Sequence, residues 1–148
     1  MGEAPPGSPK EADLGTADAK SLDRTRYISL VTYRRDGRAV ATPVWHAERD
    51  GRLYVFTEAA SGKVKRLRRN PSVRLARCDV RGGVRGDWWE GRACVVEDAE
   101  TERKAYASLQ TKYGWQMRLV DLGSRLAGRI DGRAVLEIEV DGPAGEAP

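Results

Sequence analysis

The residues best suited to chemistry lie in Thr57–Pro71, where Ser61, Gly62 and Lys63 open a predicted helix. At a helix start, backbone N–H groups without an acceptor meet the positive end of the helix dipole, and both attract a phosphate. Gly62 lets a ligand approach the backbone closely, and Ser61 offers a hydroxyl donor. Lys63 and Arg66, three residues apart, can face the same way and supply positive charge. The segment predicts a phosphate site, and the alternative is an ordinary solvated basic helix.

A proline interrupts the strand predicted around Ala41–Trp45. Pro43 has no N–H to donate, so a strand that carries it bulges or lies at the edge of a sheet. Backbone groups released at such a place can bond the rim of a planar heterocycle. The strand is therefore a candidate for contact with a ring, and the alternative is a plain edge strand.

Two adjacent tryptophans, Trp88 and Trp89, open another predicted strand. Neighbouring side chains of a strand point to opposite faces, so if Trp89 fills the core, Trp88 lies outside. An exposed tryptophan is costly unless it covers a subunit interface or stacks on a ligand. Trp88 is therefore a candidate for either role.

No set of side chains predicts acid–base, nucleophilic or metal catalysis. The chain has one histidine, His46, and two cysteines, Cys78 and Cys94, without the spacing of a zinc site. The cysteines are interpreted as reduced packing residues, and His46 as structural or solvated, with proton transfer as its alternative. No segment resembles the nucleophile elbow of a hydrolase. We predict no catalytic side chain and no metal.

The composition indicates one globular domain, since the 148-residue chain is 40% hydrophobic and 32% charged. Residues 1–20 and 142–148 are rich in Pro, Gly, Ala and acidic side chains, and we predict disordered tails around a domain at 21–141. No apolar run approaches the roughly 20 residues of a membrane span, and no signal-peptide core opens the chain, so we expect a cytoplasmic location. The net charge of +4 is small, and no aromatic residue interleaves with the basic cluster, which argues against nucleic-acid binding.

Asp-Gly pairs predict three tight turns, at Asp36-Gly37, Asp50-Gly51 and Asp131-Gly132. Hydrophobic alternation predicts strands, and apolar residues three or four apart predict helices. The six predicted strands are Tyr27–Tyr33, Ala39–Ala47, Leu53–Thr57, Val73–Val80, Trp88–Glu97 and Ala134–Val140, and the predicted helices are Ser61–Arg69, Ala99–Tyr113 and Met117–Leu126. Their hairpin connections favour a mainly β fold, a six-stranded antiparallel barrel with added helices. A Rossmann domain is disfavoured because the chain has no GxGxxG motif.

Three stretches of the sequence carry a family resemblance: DGRAVATPVW at 36–45, LYVFTEAASGKVKRLRRNPSVRLARCD at 53–79 and GDWWEGRACVVED at 86–98. Together they resemble the flavin- and deazaflavin-dependent oxidoreductases related to pyridoxamine 5′-phosphate oxidase. The resemblance implies a split β-barrel of the FMN-binding type, which is a homodimer with two cofactor sites at the subunit interface. The subgroup most similar to this pattern uses the deazaflavin coenzyme F420 instead of FMN.

The resemblance also implies cofactor contacts for nine residues. The cofactor phosphate would be held by Ser61, Gly62 and Lys63, with Arg66 nearby, and Thr57, at the end of the third predicted strand, would be a further cofactor contact. The ring would be lined by backbone of Thr42, Pro43 and Val44, and Trp88 would reach the site of the neighbouring subunit.

The function implied by the resemblance is F420-dependent hydride transfer from the reduced cofactor to a small organic substrate. Such a step needs positioning and exclusion of water more than a side-chain acid or base. The extra charge of Lys65, Arg68 and Arg69 favours F420, whose tail carries carboxylates as well as phosphate. Two alternatives stay open, an FMN-dependent oxidoreductase of the same fold and a non-enzymatic cofactor carrier. The substrate-phosphate motif that true pyridoxamine phosphate oxidases carry near the C-terminus is missing, which argues against that activity.

Overall fold

The computed structural model describes residues 19–114 and 133–144. Residues 19–23 are helical, although the predicted tail extends to residue 20. The remaining elements follow in the order β1 (Tyr27–Tyr33), β2 (Ala39–Val44), β3 (His46–Arg49), β4 (Arg52–Glu58), α1 (Gly62–Arg69), β5 (Ser72–Cys78), β6 (Trp89–Val95), α2 (Ala99–Tyr113) and β7 (Arg133–Pro143).

The strands form one antiparallel sheet of seven, in the order β2-β1-β5-β6-β7-β4-β3. The end strands β2 and β3 are consecutive in the chain and separated only by Trp45, so the sheet curls until its two ends meet. The predicted mainly β antiparallel architecture is confirmed, but the predicted count of six strands is wrong. The strand predicted over Ala39–Ala47 is two strands, because the chain leaves β1 at Val44 and pairs with β4 from His46.

The main hydrophobic core is formed by alternate residues of the strands and by one side of α1. Leu30 of β1, Leu75 of β5 and Ile138 of β7 have no exposed surface. Val64 and Leu67 pack into the same core from α1. Each such side chain contributes about 1.5–3 kcal/mol relative to leaving it exposed, which fixes α1 on the sheet with its basic residues on the other sides.

The sequence predicts local features of the fold well where turn and cap residues determine them. Asp50 and Gly51 have φ of 52° and 83°, which is the conformation of a tight hairpin turn, and they join β3 to β4. Helix α2 has the predicted bounds, with the Asp98 carboxylate accepting the Thr101 N–H at 2.9 Å as its N-cap. The predicted helix Met117–Leu126 and the turn at Asp131-Gly132 lie outside the described residues.

Gly91 is required by a close approach between β6 and β7. A Cβ at this position would lie 2.6 Å from the backbone oxygen of Glu139, which is too short for any side chain. We expect Gly91→Ala to lower the free energy of unfolding by about 1–3 kcal/mol in a chemical denaturation experiment, because strand backbone must shift. Gly142→Ala is the control, since its Cβ would meet no atom within 4 Å, and equal losses in both variants would contradict this prediction.

Candidate functional site

A pocket of about 200 Å³ brings together residues from the β2–β3 junction, β4, both helices and the start of β7. We call it the site pocket. Its lining consists of Pro43, Val44, Trp45, Phe56, Thr57, Lys63, Leu109 and Arg133.

One wall of the site pocket is apolar and aromatic. Leu109 is fully buried on α2, and Phe56 of β4 packs edge-on against Tyr106, with ring centroids 5.5 Å apart. Trp45, between β2 and β3, stacks on Tyr113 with a centroid distance of 4.5 Å and an interplanar angle of 9°. Such a wall suits the face of a planar ring system, which both aromatic and aliphatic groups can cover.

The other wall of the site pocket is cationic. Lys63 is half-buried, and desolvation together with the charge of Arg66 lowers the pKa of its ammonium group. The Arg133 guanidinium lies over the Phe56 ring, 5.0 Å from its centroid, so it connects the two walls. A cation whose charge is disfavoured by burial gains most from an anionic ligand, and the pocket therefore suits a molecule that is apolar at one end and anionic at the other.

The start of α1 carries further anion-binding groups next to Lys63. The Ser61 hydroxyl accepts the Val64 N–H at 3.5 Å, as an N-cap does. Arg66 donates from Nε to the buried Thr32 hydroxyl at 2.7 Å, and its Nη1 lies over Gly62, where a Cβ would approach to 2.6 Å. The Arg66 guanidinium therefore lies directly over the backbone of Gly62, and we call this positively charged pair of residues the cradle.

No carboxylate of the described residues forms an ion pair with the charges at this cradle. Burial lowers the pKa of Arg66, and the charges of Arg34 and Arg69 lower it further. Within residues 19–114 and 133–144, neither Lys63 nor Arg66 takes part in a salt bridge, although Glu58 raises the pKa of Lys63 at longer range. Like charges held together without a counter-ion repel each other, and a bound anion would relieve that repulsion.

Four of the nine predicted contacts line the site pocket, namely Pro43, Val44, Thr57 and Lys63. The other five, Thr42, Ser61, Gly62, Arg66 and Trp88, are absent from its lining. Gly62 and Arg66 form the adjoining cradle, and Thr42 pairs with Leu30 inside the sheet. Trp88 precedes β6, half-buried, and its backbone oxygen accepts the Ala144 N–H at 2.9 Å.

Of the other four lining residues, the sequence placed Trp45 only at the end of the candidate ring-contact strand, and it did not indicate Phe56, Leu109 or Arg133. Trp45 and Phe56 directly follow and precede predicted site residues, so their proximity was available from the sequence. Leu109 belongs to the apolar repeat of α2, which indicates burial without indicating the neighbour. Arg133 reaches the pocket because β7 pairs with β4, with Arg133 opposite Glu58, and such long-range pairing has no local signal.

His46 lies outside the site pocket and has no exposed surface. Its Nε2 lies 2.8 Å from the backbone oxygen of Leu22 and 3.3 Å from the ammonium nitrogen of Lys112, and the shorter contact favours the tautomer with the hydrogen on Nε2. In that tautomer Nδ1 is an acceptor, and it has no partner among the described residues. Burial, and then the charge of Lys112, lower the pKa of His46 to about 4, so the ring is neutral near pH 7. These features support the structural interpretation of His46 over the proton-transfer alternative.

Two larger grooves carry charges that are already paired. One, of about 470 Å³, is lined in part by Arg74, Glu90, Arg92 and Asp141, which form ion pairs of 3.5 Å and 3.4 Å. The other, of about 390 Å³, contains Lys112 bound to the Asp23 carboxylate at 3.0 Å. The smaller site pocket is the better candidate because its Lys63 has no such neutralising partner within the described part of the chain.

Two searches of the described residues gave negative results. No group of three or more His, Cys, Asp or Glu side chains in residues 19–114 and 133–144 is arranged to hold a metal ion. No helix in the same ranges combines the length and apolar character needed to cross a membrane.

One family model matches most of the chain. The family model of pyridoxamine 5′-phosphate oxidase matches residues 16–142. A search of curated protein sequences finds no significant match.

Solved structures provide independent fold similarity. A conserved hypothetical protein from Mycobacterium tuberculosis, Rv2991, is 26% identical, with a TM-score of 0.63 over 84% of this chain and 78% of that chain. HutZ of Vibrio cholerae, described as a heme storage protein, is 14% identical, with a TM-score of 0.62 over 84% of this chain and 88% of that chain. An FAD-binding protein from Mesorhizobium loti is 19% identical, with a TM-score of 0.57 over 86% of this chain and 87% of that chain.

Proposed function

Because the chain belongs to the pyridoxamine 5′-phosphate oxidase family, we propose that it binds a flavin-type cofactor in the site pocket and acts as an oxidoreductase. One observation carries the proposal: Lys63, from the first turn of α1, lines the same pocket as Pro43 and Val44 of the β2 edge strand. A phosphate group and a planar ring can therefore be bound side by side. When bound, the cofactor supplies a hydride-transferring ring.

The residues present fit the phosphate end of such a cofactor. The first turn of α1 offers N–H groups that have no acceptor within the helix, and the helix dipole adds to the charge of Lys63. The cradle adds the Arg66 guanidinium to this charge, since its Nη1 would lie only 2.6 Å from a Cβ at Gly62. Ser61 adds a hydroxyl at the same helix start. We propose that these four residues hold the phosphate.

The residues around the pocket fit the ring end. We propose that Thr42, Pro43 and Val44 bond the rim of the ring through their backbone, which is available because β2 lies at the end of the described sheet. Thr57, only 9% exposed, is a further candidate contact from β4. Trp45 and Phe56 would cover one face of the ring and exclude water, which is what hydride transfer requires of the protein.

We propose coenzyme F420 as the cofactor and reduction of a small organic substrate as the reaction. The support is the charge along α1, where Lys65, Arg68 and Arg69 are exposed in addition to the half-buried Lys63. A tail that carries several carboxylates would be attracted by such a surface more than the single phosphate of FMN. FMN in the same site is the first alternative, and a carrier that binds the cofactor without turnover is the second.

A haem ligated by histidine does not fit this chain. Histidine is a common axial ligand of haem iron. The single histidine, His46, is fully buried, with Nε2 bonded to the Leu22 carbonyl. The fold similarity to HutZ therefore does not extend to a haem site of that kind.

We also propose that the protein is a homodimer with the cofactor sites at its interface and with Trp88 reaching the partner's site. The loop between β5 and β6 supports this proposal, since Val80 and Val84 are 61% and 45% exposed. The Asp79 carboxylate orders this loop by accepting the N–H groups of Arg81 and Gly83 at 2.9 Å and 2.8 Å. A subunit contact at this loop would remove both valine side chains from water.

Calorimetric titration of the purified full chain with F420 and with FMN tests the proposed function. We expect saturable one-to-one binding per chain for both, with F420 the tighter because of its additional carboxylates, and an F420 affinity that decreases with salt. Tighter binding of FMN would replace F420 by the first alternative. Binding of neither cofactor would contradict the proposed function.

A further inference from the structure

Trp45 occupies an unusual position, since it lines the site pocket yet belongs to no strand. It joins β2, which pairs with β1, to β3, which pairs with β4. A residue at such a junction has no strand partner to fix its backbone. The orientation of its indole must therefore be determined by contacts from elsewhere in the fold.

Tyr113 supplies these contacts from the last residue of α2. Its ring stacks on Trp45 with a centroid distance of 4.5 Å. Its hydroxyl accepts the His46 N–H at 2.9 Å and lies 3.0 Å from the His46 carbonyl oxygen and 2.7 Å from that of Arg26. The single phenol hydrogen can be donated to one of the two carbonyls at a time, and the shorter distance favours Arg26.

The surroundings of Tyr113 bury its ring and keep its hydroxyl protonated. The side chain is only 3% exposed, and the Nζ of Lys112 and the Cζ of Arg26 lie 5.3 Å and 5.5 Å from the centroid of its ring. Desolvation raises the pKa of its hydroxyl, which stays protonated and able to donate. His46 lies in the end strand β3, and the Tyr113 hydroxyl supplies the backbone hydrogen bonds that a neighbouring strand would otherwise make.

From these contacts we infer that Tyr113 is a positioning residue, which holds the indole of Trp45 in the wall of the site pocket. Its hydroxyl also links the Trp45 junction to the backbone of Arg26, directly before β1. This inference rests on the function proposed above. The stacking contact fixes the plane of the indole, and the hydroxyl fixes the backbone next to it. Removal of the hydroxyl alone should leave the barrel folded and the two rings in contact, but it loosens the backbone at His46. Trp45 is then held less firmly, so that the pocket binds its ligand less tightly.

Tyr113→Phe tests this inference, with Tyr106→Phe as the matched control on the same helix. Tyr106 packs its ring on Phe56 but makes no hydroxyl hydrogen bond among the described residues. We expect Tyr113→Phe to weaken F420 or FMN binding by about 5- to 20-fold in calorimetry, because a less firmly held Trp45 must then be ordered when the ligand binds. Tyr106→Phe should bind like the wild type. When Tyr113→Phe is added to Trp45→Leu, the further loss of affinity should be much smaller than in the wild type, because Tyr113 acts through Trp45.

A spectroscopic measurement tests the inference without any ligand. In protein labelled with 5-fluorotryptophan, the resonance of Trp45 is identified by its disappearance in Trp45→Leu. We expect Tyr113→Phe to shift or broaden this resonance, and Tyr106→Phe to leave it unchanged. An unchanged Trp45 resonance, or an affinity loss of equal size in both backgrounds, would overturn the inference. If the wild type binds neither cofactor, the proposed function fails, and the fluorine spectrum alone decides the role of Tyr113.

Discussion

Lys63→Ala is expected to weaken cofactor binding by about 10- to 150-fold, which corresponds to the roughly 1.5–3 kcal/mol of a charge-assisted hydrogen bond. Lys63 is the residue that lines the site pocket and also stands in the first turn of α1. Its ammonium group is the charge placed to meet a phosphate, and no other cation of α1 lines the pocket. Titration calorimetry of the variant against the wild type measures the effect.

The same substitution is not expected to destabilise the fold. Burial and the charge of Arg66 lower the pKa of Lys63, so its charged form is disfavoured in the free protein. Removal of the ammonium group should leave the free energy of unfolding unchanged or slightly higher. Weakened binding without lost stability is the signature of a residue kept for a ligand, and it distinguishes this site from an ordinary solvated basic helix.

Arg103→Ala provides the control for net charge, because Arg103 is exposed on α2 and absent from the site pocket. It removes the same charge from the chain and should bind cofactor nearly as the wild type does. Equal losses in Arg103→Ala and Lys63→Ala would mean that binding depends on overall charge alone. An unchanged affinity in Lys63→Ala would contradict the phosphate assignment.

The sequence predicts those parts of the fold that are encoded locally. The β-branched and aromatic residues of Tyr27–Tyr33 give β1 its bounds, and the Asp50-Gly51 turn places β4 beside β3. Ser61 caps α1 as predicted, because a hydroxyl before the first helical residue has a local acceptor role. In each case the determining interactions lie within a few residues.

The features that the sequence did not reveal depend on contacts between distant residues. The break at Trp45 exists because Tyr113, far away in the chain, provides the hydrogen bonds that a continued strand would otherwise need. The sequence predicted His46 near the end of a strand over Ala39–Ala47, and nothing local shows that its side chain is fully buried. The far wall of the site pocket, Leu109 and Arg133, is likewise assembled by packing of α2 and by pairing of β7 with β4.

Because His46 is buried, we expect the free energy of unfolding to decrease strongly in acid. In an unfolded chain the pKa of a histidine is about 6.5, whereas burial and the charge of Lys112 lower the pKa of His46 to about 4 in the folded protein. Between these two values the unfolded state binds a proton that the folded state does not. The contribution of His46 to the free energy of unfolding is therefore fully present above about pH 6.5. It decreases as the pH falls toward 4, by about 3 kcal/mol in total.

His46→Gln isolates the contribution of His46 to this pH dependence, because a glutamine amide can still donate to the Leu22 carbonyl but does not titrate. Groups other than His46 are present in both proteins, so most of their pH dependence cancels in the difference. We expect denaturation curves to show wild type as the more stable protein near pH 7.5, with that advantage decreasing by about 3 kcal/mol on going to pH 4. A difference that stays constant over this range would show that the folded protein accepts the proton on His46 as readily as the unfolded chain does.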